Sequence, residues 1–429
     1  MSHQHSYAIF QAERILSHYL SSYIYNRPKQ TNIKLKVVKN NFHYVAKTFH
    51  GLEEVLEREL IGLGARNTRI LKEAVSFDGD KALMYAANFR CRTALQILRH
   101  VTSFSFNSEN EFSKIISEIR WEQYIKPEQV MCVAASTDNS YQGQNRNIEM
   151  KTKEAVQERY RSIYGLKPGY SSNHYDLQIT IHIEDDICIV SANSSGDSLN
   201  KRGYLISDTG KSYNEILAAG AVILSGWDQK SDFFDPICGS GTLLVEAAMI
   251  ANNIPCGTYR KDFSFKHWKD FDPYLLQKVM EEGFNEQTEA DIQIIGSDPS
   301  KENIDSAIEN IRSAKLHKDI FLSHTQLEEL DPEIDKPGLV MTQLPVALDP
   351  ENNEAELSLY EKIGDNLKRK FTGFQLWMLC SDEDALKQIN LKSIRKIDLS
   401  RGQATFHLEK FELSEDSVRE EENEVTETN

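Results

Sequence analysis

Apolar side chains change their spacing several times along this chain, and each change marks an element. From Asn41 onward, Phe42 to Ala46 read as a strand, and Leu52, Val55, Leu56, Leu60 and Leu63 then recur at helical spacing until Gly64. Ala74 to Phe77 form a second strand, closed by the turn Asp78-Gly79-Asp80. A helix follows through Ala82, Tyr85, Ala86, Phe89 and Ala94. This β-α-β-α order predicts a small α+β unit over 41–105. A second unit, 106–195, is predicted from helix Phe112 to Ile119, strand Val130 to Ala135, a charged helix Ile148 to Tyr164, and strands Gln178 to Ile183 and Ile187 to Ala192 around Glu184-Asp185-Asp186. No internal repeat is visible.

Residues 196–213 read as a linker carrying Leu199-Asn200-Lys201-Arg202-Gly203-Tyr204. Over 214–413 the elements alternate. Helix Glu215 to Leu224 leads to strand Phe233 to Asp235, a glycine loop and helix Leu243 to Ala251. Strand Ile292 to Ile295, a helix through Ile304, Ala307 and Ile311, and strands Ile320 to Ser323 and Gly338 to Thr342 come next. Helix Leu357 to Lys370, strand Phe374 to Cys380 and the pair Ser393 to Ser400 and Ala404 to Leu413 complete the domain. Strands separated by helices predict an α/β domain with a mostly parallel sheet, to which the closing hairpin adds an antiparallel edge strand.

Composition changes this picture little. At 429 residues the chain exceeds one ordinary core, and several domains are expected. No apolar run approaches the roughly 20 residues that cross a bilayer, and the start lacks the pattern of a secretory signal. Membrane partners are therefore not expected. Six scattered cysteines, with no CxxC pair and no histidines grouped to complete a zinc site, read as reduced thiols of a cytoplasmic protein without a bound metal. Residues 1–40 are basic and read as a poorly ordered extension, with a targeting leader or a basic arm as alternatives; 414–429 read as an acidic disordered tail. The net charge of −16 argues against simple non-specific nucleic-acid binding. Residues 41–213, however, hold nearly equal numbers of acids and bases, so that half can still present a basic face.

The chemistry concentrates in Asp235-Pro236-Ile237-Cys238-Gly239-Ser240-Gly241-Thr242, which follows a strand and opens a helix. Gly239 and Gly241 let the backbone turn sharply and approach a ligand. The spacing is neither the lysine-containing phosphate loop nor GxGxxG, and a carboxylate at Asp235 suits a cationic amino-acid moiety better than a pyrophosphate. Asp298 ends the next strand, where an acid accepts hydrogen bonds from ribose hydroxyls. Together these residues favour a nucleoside cofactor, with an NAD-type ligand as the alternative.

The run Asp235 to Gly257, the segments Asn214 to Ala219 and Arg260 to Phe265, and Trp268 resemble the THUMP-containing RNA guanine-N2 methyltransferases that modify large-subunit ribosomal RNA. Gly51 to Leu60 and Asn88 to Ala94 are similar to that family's ferredoxin-like unit. Ser195-Gly196 and Lys201 to Tyr204 are similar to its linker, and Leu359 to Asp365 and Gly373 to Trp377 continue the match. The resemblance, over residues 41–413, implies an N-terminal ferredoxin-like unit, a THUMP domain over 106–195 and a Rossmann-like domain binding S-adenosylmethionine (SAM). It also implies a cofactor site of Asp235, Cys238, Gly239, Gly241, Thr242, Asp298 and Gln326. RNA, expected to be ribosomal, would meet Arg90, Arg92, Lys151, Lys153, Lys201 and Arg202 at its phosphates.

Where the family has a catalytic Asn-Pro-Pro-Tyr, this chain has Gln343-Leu344-Pro345-Val346. An exocyclic amine needs an acceptor for its protons and a stacking surface for the flipped base. Gln343 keeps the amide on a longer arm, Pro345 is retained and Val346 lacks the ring. Leu205 and Gln326 are further departures, at a linker arginine and at an acid near the adenine amine. Two readings follow. One is a SAM-dependent RNA methyltransferase using Gln343 and Pro345; the other is an inactive homologue serving as an RNA-binding ribosome-assembly factor.

Overall fold

The computed structural model describes residues 41–138, 141–184, 187–210, 214–330, 337–344 and 353–413, with side chains in the last segment described from Tyr360 onward. The expectations for the basic extension, the acidic tail, the turn at Asp185-Asp186, Pro345 and Val346 fall outside the described residues.

The N-terminal half is one sheet. β1 (Phe42–Lys47), β2 (Arg66–Leu71), β3 (Ala74–Gly79), β4 (Gln96–Ser105), β5 (Val130–Thr137), β6 (Gly169–Tyr170), β7 (Leu177–Glu184) and β8 (Ile187–Asn193) run in the order β2-β3-β1-β4-β8-β7-β5-β6. Helices α1 (Glu53–Gly62), α2 (Lys81–Arg90), α3 (Glu109–Glu118) and α4 (Asn145–Tyr164) accompany these strands. Tyr44, Phe77, Phe89, Phe112, Trp121 and Tyr160 are buried in its core.

Two expectations change here. The helix expected to reach Ala94 stops at Arg90, because the chain turns into β4, which the hydrophobic pattern did not reveal. β4 pairs antiparallel with β1 on one side and with β8 on the other, so the two predicted units share a continuous sheet. Its apolar period is hidden by Arg99, only 5% exposed, whose guanidinium lies 4.7–5.0 Å from the rings of Phe42, Tyr124 and Trp268 and pairs with Asp270 at 2.9 Å.

The C-terminal half is the predicted α/β layer. Helix α5 (Glu215–Leu224), capped by the Asn214 side chain, precedes β9 (Phe233–Asp235) and α6 (Thr242–Ala251). Helix α7 (Pro273–Asn285) follows, with Asp272 as N-cap and proline at its first turn. Next come β10 (Ile294–Asp298), α8 (Lys301–Ser313), β11 (Ile320–His324), β12 (Leu339–Gln343), α9 (Asn353–Lys370), β13 (Gln375–Cys380), α10 (Glu383–Gln388), β14 (Ser393–Arg401) and β15 (Ala404–Phe411). Strand order is β11-β10-β9-β12-β13-β15-β14, parallel from β11 to β13, while β15 runs antiparallel to both β13 and β14. The order reverses between β9 and β12, the switch point at whose carboxyl ends sheets of this kind bind their ligands. There, Asp235, Asp298 and Gln343 terminate β9, β10 and β12.

Candidate cofactor site

Asp235, Asp298 and Gln343 share one end of the sheet because parallel strands present their carboxyl ends on the same side. Gly239 (φ +52°) and Gly241 (φ +80°) occupy the left-handed region, which costs an L side chain strain. A Cβ added at Gly239 would meet no atom within 4 Å, so its backbone borders open space. At Gly241 a Cβ would stand 3.2 Å from the Ala307 Cβ, so here the glycine also permits the approach of α8.

Loop and acid form one unit. The Gly239 N–H donates to Asp298 Oδ2 at 2.9 Å, while Asp298 Oδ1 accepts from the Ser300 N–H (2.8 Å) and Asn303 Nδ2 (3.0 Å). Three donors fix a carboxylate that is 1% exposed, leaving one of its four acceptor positions for a ribose hydroxyl.

Asp235 is different. Its Oδ1 accepts from the Ile237 N–H at 3.2 Å, but the buried Oδ2 makes no hydrogen bond. Burial pushes its carboxyl up to about 7; the neighbouring Thr342 hydroxyl and the Ile237 peptide oppose the rise, and the negative charge of Asp298 adds to it. The Thr342 hydroxyl is itself buried without a hydrogen bond of good geometry, yet lies near enough to act on the carboxylate. Two such polar atoms side by side are costly unless a ligand completes them, and a cationic ammonium meets that need.

The other predicted cofactor residues divide. Thr242 opens α6, with its hydroxyl 3.4 Å from that of Ser240. Cys238 is corrected: its side chain packs in the hydrophobic core and its N–H is bonded to the Ser297 carbonyl at 2.9 Å, so it anchors the loop to β10 rather than facing a ligand. Gln326 lies exposed just past β11, next to Thr325, whose N–H donates to the Asp298 carbonyl. Gln343 ends β12, and Leu344 after it is wholly buried, its N–H on the Leu379 carbonyl.

Two of the predicted phosphate contacts are also corrected. Arg92 is 9% exposed and donates to the carbonyls of Met249 and Ile254 (3.0 and 2.9 Å). Arg202 is 1% exposed; it donates to the Leu199 and Arg92 carbonyls and to Glu246 Oε1 at 3.3 Å, an oxygen that also accepts from the Tyr204 hydroxyl at 3.0 Å. Both guanidinium groups join the two halves of the molecule instead of facing phosphates. Arg90 pairs with Glu286 across the same junction. Lys201 is exposed beside Asp197, Lys151 is half-buried at 3.4 Å from Glu109, and Lys153 lies 4.7 Å over the Tyr170 ring.

All six cysteines are unpaired and buried. No described helix is long and apolar enough to cross a membrane.

Sheet order, glycine loop and terminal acids mark the C-terminal half as a Rossmann-like domain of the SAM-dependent methyltransferase type. Residues 43–98 match the RlmL ferredoxin-like domain, 106–193 the THUMP domain and 202–410 the RMKL-like methyltransferase domain, so the chain carries these three domains in that order. A Synechocystis sp. protein assigned as an RNA methyltransferase is 27% identical over 371 residues, covering 86% of this chain and 96% of that protein. The ribosomal RNA large subunit methyltransferase K/L of Marinomonas sp. is 28% identical over 379 residues, 86% of this chain, which spans only 53% of that relative. Among solved structures, SMU.472, assigned as a methyltransferase and solved with S-adenosylhomocysteine (SAH), superposes with a TM-score of 0.77 at 27% identity. That match covers 87% of this chain and 99% of the other.

Proposed function

We propose that this chain is a SAM-dependent methyltransferase of ribosomal RNA, acting in the cytoplasm on the exocyclic N2 of a guanine. One observation carries the reading: the open-sided Gly239, the Asp298 carboxylate and the orphaned Asp235 oxygen converge at the switch point of the sheet, in a chain that also bears a THUMP domain. The structural relative solved with SAH and the RNA and ribosomal RNA methyltransferase names of the curated ones support it.

In this account Asp298 takes a ribose hydroxyl on its remaining acceptor position, and Gly239 lets the nucleoside lie against the loop. Asp235 holds the ammonium of the amino-acid end, with the Thr342 hydroxyl beside it. When bound, SAM supplies an electrophilic methyl group. At the same end of the sheet Gln343 offers an amide oxygen that accepts an N–H of the target amine, turning its lone pair toward the methyl. Lys151, Lys153 and Lys201 remain for phosphates.

The test is methyl transfer from tritiated SAM into ribosomal RNA from cells lacking this gene, followed by nucleoside analysis. Label recovered as N2-methylguanosine is expected. RNA binding without incorporation would instead favour the ribosome-assembly role.

A further inference from the structure

The connection between the two halves is not a loose tether. Arg260, 5% exposed and C-terminal to α6, donates to the carbonyls of Ser195, Asp197, Ser198 and Lys201 at 2.6–3.1 Å. Arg202 takes the next stretch inward onto Glu246. Past Tyr204 the strap reaches α8. There Asn310, wholly buried, accepts at Oδ1 from the N–H groups of Ile206 (2.8 Å) and Ser207 (3.0 Å), and its Nδ2 donates to the Ser207 carbonyl (2.7 Å). The same Nδ2 donates to the carbonyl of Ser240 at 3.0 Å. All four hydrogen-bonding positions of the amide are therefore spent, three on the linker and one on the glycine loop.

Ser240 stands between Gly239 and Gly241, the two left-handed glycines whose conformation shapes the cofactor loop. One buried amide therefore joins residues 206 and 207 to the peptide between those glycines. No side chain other than Asn310 is needed for the link.

We propose that Asn310 is a positioning residue that clasps the interdomain linker to the glycine loop, so that RNA on the N-terminal half and cofactor at the loop bind cooperatively. This rests on the cofactor and RNA reading above. Coupling of this kind is reciprocal, so it is readable from the cofactor side alone.

The experiment is calorimetric titration of the full chain with SAH, without and with saturating deproteinised large-subunit ribosomal RNA. Wild-type protein should bind SAH about fivefold more tightly with RNA present, a coupling in the ordinary allosteric range. Asn310→Leu, of similar shape but without the amide, should bring that ratio to near one while RNA affinity, measured by filter binding, stays within about twofold. Ser207→Pro removes one linker N–H and leaves Asn310 and its Ser240 contact in place; it should lower the ratio too, and it keeps the test decisive if the core variant does not fold. A ratio unchanged in the folded variants, or a wild-type ratio of one, would overturn the clasp. Failure of the wild-type chain to bind SAH under either condition would contradict the cofactor reading itself, and the clasp with it.

Discussion

At the scale of single residues, two acids at the loop have opposite surroundings. Asp298 is satisfied by three protein donors, and Asp235 is left with a bare buried oxygen. Because burial raises the Asp235 carboxyl from 3.8 to about 7, the folded chain keeps a proton there that the unfolded chain releases near pH 4. The folded state therefore binds more protons between these values, and this group's contribution to stability falls as pH rises from about 4 to about 7. Thermal denaturation across pH should show a decline in that window that Asp235→Asn flattens. SAH affinity should move the other way. The ammonium needs an ionised partner, so binding should strengthen as pH passes through 7, by about tenfold in all, and Asp235→Asn should remove that dependence. Glycine spacing and strand-end acids made Asp235, Gly239, Gly241 and Asp298 legible in the sequence. What it hid was the state of those acids, along with Thr342 and Asn310, because burial and unmet hydrogen bonds depend on neighbours brought in by folding. Arg92 and Arg202 were misread for the same reason: a base beside a linker looks like a phosphate contact until its surroundings are known.

At the scale of elements, periodicity recovered those with a clean apolar stripe, α5, α6, α8 and the strands β9 to β13. It missed β4, whose buried Arg99 breaks the alternation. It also missed α7, although Asp272-Pro273 ahead of Leu276, Val279 and Met280 is a legible helix start. The elements that join the halves hold a fully buried ion pair. Arg202 and Glu246 form an ion pair 1% and 0% exposed, with Glu246 Oε2 already unpaired. Removing one partner strands a buried charge, so Arg202→Ala should cost about 3–5 kcal/mol, read from urea unfolding. Arg92→Ala should also destabilise, by freeing the Met249 and Ile254 carbonyls. In both variants lost RNA binding should follow lost folding rather than precede it. Lys201→Ala, at an exposed pair with Asp197, should leave stability within about 0.5 kcal/mol of wild type.

At the scale of the whole molecule, an acidic chain must hold RNA by a local basic face. With Arg92 and Arg202 turned inward, the predicted phosphate contacts fall to a few lysines on the N-terminal half and linker, so the salt dependence of RNA binding should be shallow. Replacing Lys153 with alanine should weaken RNA binding uniformly across sequences and reduce the salt slope by about one if the lysine meets a phosphate. Replacing residues 343–346 with Asn-Pro-Pro-Tyr should raise methyl transfer, since base stacking on an aromatic contributes about 1–3 kcal/mol. These effects all presuppose that the glycine loop and its two acids seat SAM. The most direct measurement is calorimetric titration of the full chain with SAH, comparing wild type with Asp298→Ala. Saturable one-to-one binding is expected, weakened at least severalfold by the substitution because both the ribose acceptor and the Gly239 anchor are lost. Equal affinity in the two proteins, or no binding in the wild type, would contradict it.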